Sequence, residues 1–85
     1  MRLLVVEDDR TLHQQIVTAL EHAGYAVDSA FDGEEGQFLG ETEPYDAAIL
    51  DLGLPKVDGV SVLNAWRREG RKMPVIILTA RDRWS

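Results

Sequence analysis

Apolar residues along this chain fall into two patterns. Three short runs, LLVV (3–6), AAIL (47–50) and VIIL (75–78), are unbroken by any polar residue. A strand with one face in water alternates, so unbroken runs this short fit strands covered on both faces, as in a parallel sheet between helices. A fourth segment, YAVDS (25–29), alternates better and fits an edge strand. In the second pattern, Leu12, Ile16, Ala19, Leu20 and Ala23 recur at helical spacing. They predict an amphipathic helix over 11–23, stopped by Gly24. Residues 33–41 predict a poorer helix, with two internal glycines and few large apolar anchors. A third helix is expected over 57–70, with Asp58 near its start and Val62, Leu63 and Trp66 as its inner face. Arg67 and Arg68 fall in its last turn, where the macrodipole favours cations, and Gly70 ends it.

Strand and helix thus alternate four times, with a fourth helix barely begun at RDRWS. The expected class is α/β, a doubly wound parallel sheet. The last strand is the most apolar, yet nothing after it in the chain could cover one of its sides. An apolar strand open along one edge pairs readily with other chains. Self-association through the strand-four edge is therefore expected, by strand pairing, by segment exchange or through an apolar patch.

Length and composition narrow the function. The 85 residues suffice for one small domain. With 15 acids against 9 Lys and Arg, the net charge is −6. That balance disfavours a direct grip on nucleic acid, which calls for a basic face. The chain has no cysteine, so neither a disulfide framework nor a thiolate metal site is expected. No apolar run approaches the roughly 20 residues of a membrane helix. The four apolar residues before the first acids are too few for a signal-peptide core, and a cytoplasmic location is expected.

The candidate chemistry lies where the apolar runs end. Glu7 and Asp8 follow the first, Asp51 the second and Thr79 the third. Doubly wound sheets bind ligands outside the carboxyl ends of their strands, so these groups share one edge. Three carboxylates gathered there repel one another, and a hard divalent cation such as Mg²⁺ relieves the repulsion. With such a cation, one carboxylate can act as nucleophile and become an aspartyl phosphate. Thr79 could donate a hydrogen bond to the phosphoryl group. Simpler roles compete: Asp51 could cap the turn after it, and Asp9 reads as a solvated acid opening the first helix. His13 and His22 fall outside the apolar stripe and read as solvated helix residues. The basic tract RREGRK (67–72) reads in its first half as a helix C-terminus, and Trp66 reads as core.

The segments LLVVEDD, AAILDLGLPKVDG and VIILTA resemble the signature segments of the response-regulator receiver domain of two-component signalling. The similarity is greatest to the branch joined to winged-helix DNA-binding domains. It implies a flavodoxin-like receiver over 1–85, incomplete after strand four. Asp51 would be the phospho-acceptor, taking its phosphoryl group from a sensor histidine kinase. Mg²⁺ would be held by Asp8 directly, by Glu7 mainly through water, by Asp51, and by the backbone carbonyl of Gly53. Thr79 would be the switch hydroxyl, and Ala80 the small residue beside the site. Leu54, Pro55, Asp58 and Gly59 would shape the loop and start the next helix. The family's phosphate-pairing lysine lies on a fifth strand, beyond Ser85, as do most of helix four and helix five. DNA contact would belong to an output domain absent from this chain. Such a domain is a signalling phosphoacceptor rather than a metabolic enzyme. Two other classes are weighed beside it. An aspartate-nucleophile hydrolase would carry a second acid two residues after Asp51, where Gly53 stands. A receiver-like interaction module would associate without accepting phosphate.

Overall fold

A computed structural model of the chain describes residues 1–78. Four strands and three helices alternate: β1 (Arg2–Val6), α1 (Arg10–His22), β2 (Ala26–Ala30), α2 (Gly33–Thr42), β3 (Ala47–Asp51), α3 (Gly59–Arg68) and β4 (Val75–Leu78). The strands form one parallel sheet in the order β2-β1-β3-β4. Each unbroken apolar run is a strand, and the alternating segment is at an edge, as the patterns predict.

Each helix begins on an aspartate. Asp9 accepts from the amides of Thr11 and Leu12, Asp32 from Glu35, and Asp58 from Ser61. These carboxylates satisfy amides that no helical carbonyl reaches and face the positive end of the helix dipole. At the other end of α3, the Arg67 guanidinium donates to the carbonyls of Arg71 and Met73. The Arg71 guanidinium donates to the Glu41 carbonyl of α2. Arg67 and Arg71 of the basic tract thus fasten the chain between α3 and β4.

Alternate strand residues divide between the two sides of the sheet. Leu4, Val6, Ala48 and Leu50 join Val62 and Trp66 in the main core, on the side taken by α2 and α3. Trp66 is fully buried, as expected. Leu3, Ala47, Ile49 and Ile76 line the opposite side, where with Leu20 and Tyr25 they border an apolar groove of about 220 Å³.

Two expectations need correcting. The glycines of α2 are a packing surface rather than a weakness. Gly33, Gly36 and Gly40 are its buried residues. A Cβ on Gly36 would lie 2.7 Å from a Val6 methyl, and one on Gly40 would fall inside the Trp66 indole. The indole N–H in turn donates to the carbonyls of Gly36 (3.2 Å) and Gln37 (3.3 Å). In α1, the expected stripe is only partly covered: Leu12, Ile16 and Leu20 are half-buried, and Ala19 and Ala23 are exposed. The buried residue of α1 is His13, expected to be solvated. His22 is exposed, as expected.

Away from the carboxyl edge, Arg2 pairs with Asp28 at 2.7 Å and Glu43 at 3.2 Å. The Tyr45 hydroxyl donates to Asp28 at 2.8 Å. That hydrogen bond and the Arg2 guanidinium hold the Asp28 carboxyl below its ordinary range, against the opposing effect of burial. Burial, then the Asp28 carboxylate, pushes the Tyr45 phenol upward.

Candidate functional site

At the carboxyl edge of the sheet, β1 and β3 are neighbours, so the residues that end them are brought together. Glu7 follows β1 and is 1% exposed; Asp51 ends β3 and is 3% exposed. Asp8, half-buried, completes the group. Each of the three offers a carboxylate oxygen, and these oxygens lie within 4.8 Å of one another. The backbone explains why they stay there. The Glu7 amide donates to the Ala30 carbonyl of β2 at 3.1 Å, extending the sheet one residue beyond the strand. The Glu7 carboxylate accepts from the Asp9 amide at 2.9 Å. Asp9 itself turns outward to cap α1, the role expected for it.

The loop after Asp51 is shaped by backbone contacts. The Gly53 amide donates to Asp51 Oδ1 at 3.3 Å. Leu54 is buried in the core, and Pro55 is exposed, its carbonyl accepting from the amides of Val57 (2.8 Å) and Gly33 (3.1 Å). Lys56 lies in the left-handed region with φ 69°. Its ammonium sits 3.5 Å from Asp32 and 3.8 Å from Glu34, bracing the loop against the start of α2. The Glu35 amide, and then Lys56, hold the Asp32 carboxyl below its usual value. Asp58 caps α3 through the Ser61 amide (2.9 Å) and hydroxyl (3.1 Å), and these hydrogen bonds lower its carboxyl likewise.

Gly59 has a direct part in placing Asp51. Its amide donates to the Leu52 carbonyl at 3.0 Å. A Cβ there would meet the Asp51 carbonyl and lie 2.6 Å from Leu52 Cα. The first turn of α3 can therefore rest on the backbone of Asp51 only because residue 59 lacks a side chain. The structure thus brings together Glu7, Asp8 and Asp51, with Gly53, Leu54, Pro55, Asp58 and Gly59 forming the adjoining loop. Thr79 and Ala80, also expected at this edge, lie outside the described residues.

Sequence reasoning missed His13. Its Nδ1 lies 2.8 Å from the Glu7 carbonyl oxygen, and its ring stands 4.3 Å from the Phe31 ring. The Arg10 guanidinium is 3.8 Å from the same Phe31 centroid. One signal was available: His13, Ile16 and Leu20 follow each other at three and four residues, the spacing of a helix face.

The donor set is one of hard oxygen ligands at short mutual distance, two of the three acids being buried. That chemistry suits Mg²⁺ rather than a thiolate- or imidazole-preferring metal. Among the described residues, no helix is long and apolar enough to cross a membrane.

A family model for the response regulator receiver domain matches residues 3–84. Over 83 residues the chain is 47% identical to the transcriptional regulatory protein PmrA of Pectobacterium parmentieri, covering 98% of this chain and 37% of that protein. The receiver domain of the Francisella response regulator 1452 superposes with a TM-score of 0.88 at 40% identity, covering 98% of this chain and 69% of the other. The receiver domain of the Pseudomonas aeruginosa sensor histidine kinase PA1611 superposes at 0.90 and 34% identity, covering 99% and 70%. That domain holds a magnesium ion in its active-site cleft.

Proposed function

This chain belongs to the response regulator receiver family, and we propose that Asp51 is its phospho-acceptor, with Glu7, Asp8, Asp51 and the Gly53 carbonyl holding Mg²⁺. One observation carries the reading: the carboxylate oxygens of Glu7, Asp8 and Asp51 converge within 4.8 Å at the sheet edge. Bound there, Mg²⁺ would neutralise charge on the acids and on the incoming phosphoryl oxygens. The chain's own part is to present an oxygen of Asp51. That oxygen attacks phosphorus as the bond to the donor nitrogen of a kinase phosphohistidine breaks. The nitrogen leaves with the bonding pair and takes up a proton, and an acyl phosphate remains on Asp51.

Thr79 would donate its hydroxyl to the new phosphoryl group, and Ala80 would leave room beside it. Leu54, Pro55, Asp58 and Gly59 would keep the loop open at the acceptor. The domain signals rather than turning over a metabolite. PmrA is a transcriptional regulatory protein, and this chain spans 37% of its length. We assign residues 1–85 to the receiver and place DNA contact in a separate output domain of the longer regulator, acting in the cytoplasm.

Incubation with a small-molecule phosphodonor, followed by intact-mass spectrometry, tests this. The expected result is one phosphoryl group taken up with Mg²⁺ present, and none without Mg²⁺ or in Asp51→Asn. Uptake that survives Asp51→Asn would place the acceptor elsewhere.

A second reading, association without phosphate, is favoured by the β4 edge. Ile76 is 58% and Ile77 38% exposed there. On this reading the chain dimerises or oligomerises through the β4 edge. Sedimentation should show a mass that rises with concentration and falls back in Ile76→Lys/Ile77→Lys. A monomer at all concentrations would exclude it.

A further inference from the structure

We propose that His13 is a positioning residue for the metal-binding acids, holding the Glu7 carbonyl so that Glu7 and Asp8 face Asp51. This inference rests on the reading of those acids as Mg²⁺ ligands, and nothing in that reading calls on His13.

The geometry is as follows. A carbonyl oxygen only accepts, so the 2.8 Å contact makes His13 Nδ1 the donor and Glu7 the acceptor. The imidazole is 3% exposed, and its Nε2 makes no hydrogen bond among the described residues. Its one polar contact there is therefore directed at Glu7. The ring is held in turn by Phe31, which directly follows Ala30, the residue whose carbonyl receives the Glu7 amide.

Glu7 is consequently tied by its amide to β2, by its carbonyl to α1 and by its carboxylate to the Asp9 amide. The carbonyl of Glu7 belongs to the peptide unit that joins it to Asp8. Fixing that unit sets the direction in which both acids leave the backbone. Without the His13 contact, the peptide keeps its amide anchor in the sheet but gains freedom to rotate between β1 and α1. Groups that orient metal ligands in this indirect way commonly change affinity by about tenfold or more. Here the contact is to backbone, so a smaller effect is expected.

Two substitutions separate the hydrogen bond from the packing. His13→Phe keeps an aromatic ring against Phe31 and removes the donor. His13→Asn removes the ring but places an amide N–H near the position of Nδ1. Mg²⁺ affinity, measured by calorimetric titration of the unphosphorylated chain, should fall about three- to tenfold in His13→Phe. In His13→Asn it should stay within about twofold of wild type while the melting temperature drops.

Amide hydrogen exchange gives a metal-free readout. The Asp9 N–H, bonded to the Glu7 carboxylate, should lose protection in His13→Phe and keep it in His13→Asn. Unchanged affinity in His13→Phe, or equal weakening in both variants, would overturn the inference. A wild-type chain that binds no Mg²⁺ would instead overturn the reading of the acids as ligands, and the effect proposed for His13 with it.

Discussion

Gly40→Ala should destabilise the chain by about 3 kcal/mol and lower its melting temperature by roughly 15 °C. The sign is the informative part. In an exposed helix, replacing Gly by Ala stabilises by up to about 1 kcal/mol, because glycine loses more backbone freedom on folding. Here the new methyl would fall within the Trp66 indole, which is fully buried and hydrogen-bonded to the backbone of α2. Either α2 moves off α3 or the indole leaves its site, and both open the main core. Thermal unfolding followed by circular dichroism measures the change. Trp66→Val supplies the control. It removes the indole ring atoms that the Gly40 methyl would meet, so the double variant should be no less stable than Trp66→Val alone. Such non-additivity is the mark of a direct clash. Additive losses would mean that the Gly40 methyl is harmful for another reason.

The second large effect is expected at the acidic edge, and it depends on metal. The carboxylate oxygens of Glu7, Asp8 and Asp51 converge within 4.8 Å, and only the folded chain gathers them. Adding Mg²⁺ should raise the wild-type melting temperature progressively, since a ligand that binds only the folded state stabilises it by mass action, by about 2.7 kcal/mol at a hundred times its Kd. Asp8→Asn, which removes one of the proposed ligands, should respond weakly over the same range. Titration of melting temperature against Mg²⁺, with monovalent salt as a control for screening, decides it. An Asp8→Asn chain as responsive to Mg²⁺ as wild type would remove Asp8 from the proposed site.

Much of this was legible in the residue pattern. LLVV and AAIL are strands largely covered on both faces, as unbroken apolar runs of that length predict, and VIIL is a strand too, although its Ile76 and Ile77 stay exposed. Asp58 lies at the start of α3, because an aspartate there meets amides that would otherwise lack partners. The acids of the site could be listed as well, since each follows an apolar run and parallel strands end at one edge.

Other features were set by neighbours that no local pattern names. The glycines of α2 read as flaws by helix propensity, yet Gly36 and Gly40 form the surface that admits Val6 and Trp66. His13 reads as a solvated residue beside an apolar stripe, yet it is buried between the Glu7 carbonyl and the Phe31 ring. The stripe itself is only half covered, because α1 crosses a side of the sheet that keeps an open groove. The order β2-β1-β3-β4 is likewise tertiary: it seats β1 beside β3, and only then do Glu7 and Asp8 meet Asp51. Periodicity and capping act within one segment, so the sequence by itself determined the elements, their ends and the identity of the acids. Distances between segments arise only on packing, so tertiary structure decided which side chains share a site and which glycines leave room for it.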